Sequence, residues 1–379
     1  MLKPRINALI LGAGNFGRHY ARILSQINRD ALPGVPLIDK LIITRTRIER
    51  SREIADLIRN QKACAVNDVV AAKLSSPRDL MTLMEKHQPK FIAIVARDNQ
   101  KGDSVHALYT AHALQSGAVL CEKPFSNAFG DGSSLKSFDE LFGHENKGLF
   151  GLELPFAVVM RQLMQNEKFR NLYRNMRNLE FFWETQVTLE NYIIDDLALH
   201  PWSLIPRGYP IKTVEVKSEG NTADVKLVIE NPYTGQDVSC KLTLREGGNF
   251  RGMMIDDDVI GIKSEQASIK LIRLYAKLEE AVLSGAEALE GEILSEIDNP
   301  LKQNIVAALK KEPIVNLKQT YESQVFLERL HGYVPLNPLN AYDPTNSFGD
   351  YPQQLRPGSC VFPEIFLSGV GGNPAEYAR

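Results

Sequence analysis

Cysteine is scarce in this chain. Its four cysteines (Cys64, Cys121, Cys240 and Cys360) lie far apart and make no pair with the spacing of a metal site, so no metal is expected. They read as reduced, mostly buried thiols of a cytoplasmic protein, not as a disulfide frame. Long apolar runs are missing too. None approaches the about 18 residues of a membrane span, and the apolar stretch near the N-terminus is too short for a signal peptide. A surplus of one charge is also missing. The 44 basic and 46 acidic residues give a formal net charge of −2, which offers no footprint for nucleic acid or an anionic membrane. There is no internal repeat or low-complexity segment. What remains is 44% hydrophobic and 24% charged residues over 379 positions, enough for sizeable cores in two domains, or three.

Against that background one short segment stands out, Gly12-Ala13-Gly14-Asn15-Phe16-Gly17. Residues 6–11 before it are largely apolar, as a buried parallel strand would be. From Arg18 onward, Tyr20, Ile23, Leu24 and Ile27 recur at helical spacing. The glycine pattern therefore sits between a strand and a helix, the setting of a dinucleotide fingerprint. Gly12 permits a tight turn, Gly14 lets backbone approach a pyrophosphate, and Gly17 lets helix and strand pack closely. The helix N-terminus offers free N–H groups to the phosphates. Gly12, Gly14, Asn15, Phe16 and Gly17 are thus cofactor-binding candidates.

The next strand should end at the residue that reads the adenosine ribose. Leu41-Ile42-Ile43 leads into Thr44-Arg45-Thr46-Arg47. An acid there would bind a ribose 2′-hydroxyl and favour NAD. Two arginines point instead to the 2′-phosphate of NADP, because guanidinium pairs with phosphate in a bidentate fashion. The expectation is NADP, with NAD as the alternative. A solvated start to a basic helix (Arg47, Arg50 and Arg52) is the competing reading of these arginines.

Strand-like and helical segments keep alternating. Arg78–His87 reads as a helix and Phe91–Ala96 as a buried strand. Ser104 is placed to cap a helix running to about Gln115, which Gly117 ends before the strand Ala118–Cys121. Such alternation predicts an α/β fold with a doubly wound parallel sheet and ligands at the carboxyl ends of its strands. Arg97, Glu122 and Lys123 fall at such ends and join the cofactor-binding candidates.

Here the residues carry a family resemblance. Gly12 to Gly17, His106 seven residues before Ala113-Leu114, Gly117, Cys121-Glu122-Lys123-Pro124 and Asp196-Leu197-Ala198-Leu199-His200 stand in the order found in the Gfo/Idh/MocA oxidoreductases. The chain resembles that glucose–fructose oxidoreductase and inositol dehydrogenase superfamily over roughly residues 5–330. The resemblance implies an N-terminal Rossmann domain and a C-terminal α+β domain on an open, mostly antiparallel sheet. It also implies NAD(P) and a homodimer or homotetramer formed through that sheet. Two departures bear on the substrate: the loop from Arg97 to Val105 is long, and the stretch after Leu149 reads Gly151-Leu152-Glu153-Leu154-Pro155-Phe156 where many members carry an arginine-phenylalanine pair.

The second half fits that architecture on its own pattern. Leu179–Leu189 is aromatic and β-rich, as an exposed-sheet strand would be. Thr213–Val216, Ala223–Ile229, Val238–Leu244 and Val259–Ile262 read as further strands, with a turn at Asn231-Pro232-Tyr233-Thr234-Gly235. Strands in succession without helices imply antiparallel pairing. Leu271–Leu283, Asn299–Leu309 and Gln319–Leu330 read as helices, the last two returning toward the first domain. The expected division is 1–125 for cofactor binding, 126–335 for substrate binding and oligomerisation, and 336–379 as an irregular C-terminal arm whose aromatics (Phe348, Tyr351, Phe362, Phe366) argue for packing against protein.

The expected reaction moves a hydride between nicotinamide and a secondary alcohol or carbonyl of a sugar, polyol or derivative. Lys123 is placed to hydrogen-bond the ribose and the reacting oxygen. His200 is the acid/base candidate, since imidazole titrates near neutrality. Asp196, one helical turn earlier, shares a face with it, although Asp195 competes for that role. Tyr192 and Trp202 are candidate pocket residues. Two rival readings stay open: a dinucleotide-binding regulator without turnover, and a reductase of a C=N bond.

Overall fold

The computed structural model describes residues 3–14, 16–97, 105–142, 149–163, 167–185, 193–205, 209–247, 250–256, 258–263 and 300–333. Asn15, Ser104, Tyr192, the expected helix Leu271–Leu283, Cys360 and the arm 336–379 lie outside these residues.

Over the first part the described elements run β1 (Arg5–Leu11), α1 (Gly17–Gln26), β2 (Leu37–Arg45), α2 (Ile48–Arg59), β3 (Asp68–Lys73), α3 (Pro77–His87), β4 (Phe91–Ile94), α4 (Val105–Ala113), β5 (Ala118–Glu122), α5 (Ser133–Phe142) and β6 (Phe150–Glu153). The strands form one parallel sheet in the order β3-β2-β1-β4-β5-β6. This is the strand order of a Rossmann fold, with its reversal between β1 and β4.

Alternation along each strand serves two cores. Leu9, Leu11, Ile42, Ile92 and Val119 point to one side, with Leu80 and Leu83 of α3 and Val105 and Tyr109 of α4. Ala8, Ile10, Leu41, Ile43 and Ala93 point to the other, with Tyr20 and Leu24 of α1 and Ile54 of α2. A sheet buried on both faces needs near-continuous apolar strands, and these strands are such runs. Local chemistry sets helix ends. The Ser76 side chain accepts from the Asp79 amide with Pro77 at the first helical position, and Gln88 closes α3 with φ 45°.

Next come α6 (Pro155–Leu163), α7 (Glu167–Asn175), β7 (Asn178–Thr185), α8 (Ile193–Leu197), α9 (Leu199–Trp202), β8 (Ile211–Glu219), β9 (Thr222–Glu230), β10 (Asp237–Glu246), β11 (Phe250–Ile255) and β12 (Asp258–Lys263). Then α10 (Pro300–Leu309) and α11 (Leu317–Leu330) follow. Strands β7–β12 form a second sheet in the order β12-β11-β7-β10-β9-β8. The expected antiparallel pairing holds for its neighbours except β7 and β10, which run parallel. The aromatic strand β7 is a correction of another kind. It lies inside the sheet, not at an exposed surface, and Leu179, Phe181 and Trp183 are fully buried. Phe181 and Trp183 are core, because large apolar rings gain most when removed from water, while Phe182 on the opposite face is half-buried.

Both returning helices pack as expected. Leu301, Ile305 and Ala308 of α10 complete the core beneath α1 and β5. α11 starts with a capping box between Asn316 and Gln319 and buries Phe326, Leu327 and Leu330 in the core shared by the two sheets. No helix among the described residues is long and apolar enough to cross a membrane.

Candidate functional site

The site begins where β1 ends. Gly12 has φ +87°, and a Cβ there would lie 2.4 Å from Ala96 Cα. A Cβ on Gly17 would lie 2.6 Å from the Gly12 carbonyl oxygen. Neither position admits a side chain. Gly14 differs, since the nearest atoms to a Cβ there are 3.9 and 4.0 Å away. A Cβ at Gly14 would make only ordinary contacts, so this position, unlike Gly12 and Gly17, is not closed by its neighbours. Thr44 ties the turn to β2: its carbonyl accepts from the Ala13 amide at 2.9 Å, and its hydroxyl donates to the Ile10 carbonyl at 2.8 Å. Phe16, 43% exposed, packs edge-on against Tyr20.

Arg45 at the end of β2 reaches this turn. Its Nη1 donates to the Ala13 carbonyl at 3.3 Å and is the atom 4.0 Å from the Gly14 Cβ position. Partial burial, then the charges of Arg18 and Arg50, hold its pKa below the ordinary arginine value. Arg45 thus sits on the turn within reach of the charges of Arg18 and Arg50. Arg18 was missed in the sequence, where its signal was only that it directly follows Gly17. Arg47 is exposed and starts α2, where its carbonyl accepts from the Ser51 amide.

The second half of the site lies at the end of β5. A cis peptide joins Lys123 to Pro124, whose carbonyl is 2.7 Å from His106 Nδ1 of α4. Lys123 Nζ donates to the main-chain carbonyl of Asp196 and lies 3.2 Å from Asp196 Oδ1. Arg97 Nη2 approaches the same oxygen at 3.4 Å. Only 10% of the Lys123 side chain and 14% of Asp196 are exposed. Asp195 points elsewhere: its Oδ1 meets His331 Nε2 at 3.2 Å, and this contact raises the His331 pKa despite burial. The two neighbouring acids are therefore distinguished by geometry, and Asp196 is the one that faces the lysine.

His200, on α9, is brought against a different wall. Its ring stacks on Trp183 at 5.7 Å and 15°, and meets Phe156 edge-on at 5.4 Å. Its carbonyl accepts from the Ser203 hydroxyl at 2.7 Å. Trp202 stacks on Phe326 at 4.3 Å, within the packing of α11.

Glu122 curls back so that its Oε2 accepts from the Lys123 amide at 3.0 Å. Across the sheet its register partner is Glu153, the last residue of β6 and 1% exposed. Asn304 of α10 donates to Glu153 Oε1 at 3.2 Å. Burial pushes the Glu153 carboxyl up to about 7. Sequence reasoning did not single out Glu153, which closes the four-residue strand β6.

A glycine turn at the switch point of a six-stranded parallel sheet, with the first turn of α1 beside it, defines a dinucleotide-binding Rossmann protein. Residues 6–140 match the family model described as "Oxidoreductase family, NAD-binding Rossmann fold". Comparison with curated sequences gave no match. Among solved structures the fold is similar to an oxidoreductase domain protein from Kribbella flavida, with 12% identity and a TM-score of 0.57, covering 87% of this chain and 96% of that one. It is also similar to levoglucosan dehydrogenase in complex with NADH and levoglucosan, with 10% identity, a TM-score of 0.53 and coverage of 86% and 97%. An NAD-binding oxidoreductase from Klebsiella pneumoniae gives 11% identity, a TM-score of 0.53 and coverage of 86% and 97%. These likenesses establish the fold.

Proposed function

We propose that this protein is an NADP(H)-preferring dehydrogenase or reductase of a secondary alcohol or carbonyl, on a sugar, polyol or derivative. The observation that carries this reading is the contact of Lys123, at the end of β5, with Asp196 of α8. It brings a cation of the Rossmann sheet against the segment that also bears His200. The levoglucosan complex among the structures of like fold is in keeping with a carbohydrate substrate.

Bound nicotinamide supplies or accepts the hydride. Lys123 holds positive charge where a reacting oxygen becomes negative. Asp196 orients the Lys123 ammonium, together with Arg97. His200 accepts the hydroxyl proton in oxidation and returns it in reduction, its ring fixed by the Trp183 and Phe156 faces. Gly12, Gly14, Phe16 and Gly17, with Asn15 by its place in the sequence motif, would bind the pyrophosphate, and Glu122 holds the Lys123 backbone. Arg45, with Arg18 and Arg50, is placed to meet a 2′-phosphate, and the exposed Arg47 adds to that positive field. The protein acts in the cytoplasm as a homodimer or homotetramer joined through the second sheet, which size-exclusion chromatography with light scattering would test.

The deciding experiment is a panel of sugars and polyols, and the corresponding carbonyl compounds, assayed with NADP and NADPH by absorbance. Turnover with a hydroxyl or carbonyl substrate is expected. Tight NADPH binding with no turnover on any substrate would favour a regulator instead.

A further inference from the structure

Beneath Lys123 lies a group that the proposed hydride chemistry does not use. Glu122 and Glu153 are register partners at the carboxyl ends of β5 and β6, so their side chains leave adjacent strands on one side. Glu153 is almost wholly buried. One of its oxygens accepts from Asn304, while the other, Oε2, meets no hydrogen-bond donor among the described residues. Tyr20 of α1 brings a buried hydroxyl, also without a partner, close enough to both acids for their charges to raise its pKa after burial itself. Cys121 and Lys123 are the other titratable neighbours in this set.

A buried carboxylate with a second, half-buried one beside it resists ionising near neutrality, because their repulsion adds to the cost of burial. A shared proton removes both costs. It gives the donor-less oxygen a hydrogen bond and leaves the pair with a single negative charge. Lys123 and Arg97 then face Asp196, while the acid pair beside Lys123 carries one net charge. Loss of the shared proton would leave a surplus negative charge under the lysine.

We propose that Glu153 is a positioning residue, sharing one proton with Glu122 so that the turn carrying Lys123 stays fixed and its ammonium stays directed to Asp196. This deepens the dehydrogenase reading and rests on it for its consequence, but the proton pair is testable without cofactor or substrate.

The test uses the full chain, free of cofactor, as wild type and Glu153→Gln. Glutamine keeps the shape and a donor but cannot ionise. Infrared spectra from pH 5 to 9 should show a protonated carboxyl stretch that persists to near neutrality and then disappears in the wild type. The wild type minus Glu153→Gln difference isolates it from other acids, such as Asp139, which burial raises to about 6. Lysine side-chain NMR, with Lys123 assigned through Lys123→Arg, should show the Lys123 signal moving in the same pH range in the wild type and standing still in Glu153→Gln. A merely structural glutamate would not couple the lysine signal to its own ionisation. No neutral-range carboxyl band in the difference, or a Lys123 signal with the same pH response in both proteins, overturns the proposal. Absence of turnover in the substrate panel sinks the dehydrogenase reading and leaves these two spectra to decide the pair on their own.

Discussion

At the glycine turn Arg45 feels the charges of Arg18 and Arg50, and the carboxylate that offsets them, Glu53, is paired with Arg50 at the exposed surface of α2. Around the end of β5 the pattern is the reverse. Lys123 and Arg97 both meet Asp196, and two further carboxyls lie on the adjacent strand ends. One end of the sheet's carboxyl edge thus concentrates positive charge in a half-exposed place, while the other balances charge in a buried one. A surplus of guanidinium groups suits a doubly charged anion brought in from water. A balanced, dehydrated set suits a place where charge appears only transiently, since fixed partners there need not reorganise. On the proposed function, the contrast would separate recognition of a cofactor from work on a substrate.

The strongest way to break the comparison is at the balanced end. Lys123→Met and His200→Ala are each expected to cut turnover by about 10²–10⁴, the usual cost of removing a positioned acid/base. NADPH binding should survive His200→Ala. Wild-type rates in His200→Ala would remove the histidine from the proton path and turn attention to Asp196.

A second change weakens the brace under that end. Ile305 of α10 is fully buried against the first sheet, one residue after the asparagine that holds Glu153. Ile305→Ala should lower unfolding stability by about 2–5 kcal/mol through lost burial and the cavity left behind. Denaturant titration reads this directly, and a loss below about 1 kcal/mol would mean that α10 is not held as the core packing implies.

At the basic end, Arg45→Asp should weaken NADP binding about tenfold to a hundredfold while sparing NAD, the scale of one lost hydrogen bond to a charged group. Calorimetric titration with both cofactors tests it. Tighter wild-type binding of NAD than of NADP would reverse the assignment of this end.

The two ends were not equally legible in the sequence. Gly12 to Gly17 is local chemistry: a strand, three glycines and a helix follow one another within a few residues. Lys123 and Asp196 were readable as motif residues, but their contact joins positions 73 apart and depends on how α8 docks. Arg18 and Glu153 went unnoticed because a lone arginine after a glycine, or a lone acid after Phe150-Gly151-Leu152, has no period or spacing to mark it. The same limit applies to the fold. The strongly apolar β1, β4 and β5 could be read from composition. Strands β3, β6 and β11 are short or interrupted by glycine and alanine, so neighbouring strands make them strands. The parallel pairing of β7 with β10 could not be inferred from succession, because the partner arrives after two intervening strands.

The smallest expected effect lies beside the balanced end and tests whether its acids are individually committed. Asp195 is directed to His331, not to Lys123, and the pairing raises the His331 pKa above its ordinary 6.5. A histidine whose pKa is raised on folding contributes stability that is fully present below the unfolded value and lost as pH rises through the folded one. The melting temperature difference between wild type and His331→Gln should therefore be largest near pH 6 and shrink as pH rises beyond 6.5. About a quarter of the His331 side chain is exposed, so solvent screens the pair and the shift should be modest. Asp195→Asn should produce the same pH dependence, and combining it with His331→Gln should add little, because both remove one interaction. A difference that stays constant across pH would show that the histidine is held by packing alone. In that case Asp195 would return as a second acid available to the lysine end, and the balance of charge described there would have to be counted again.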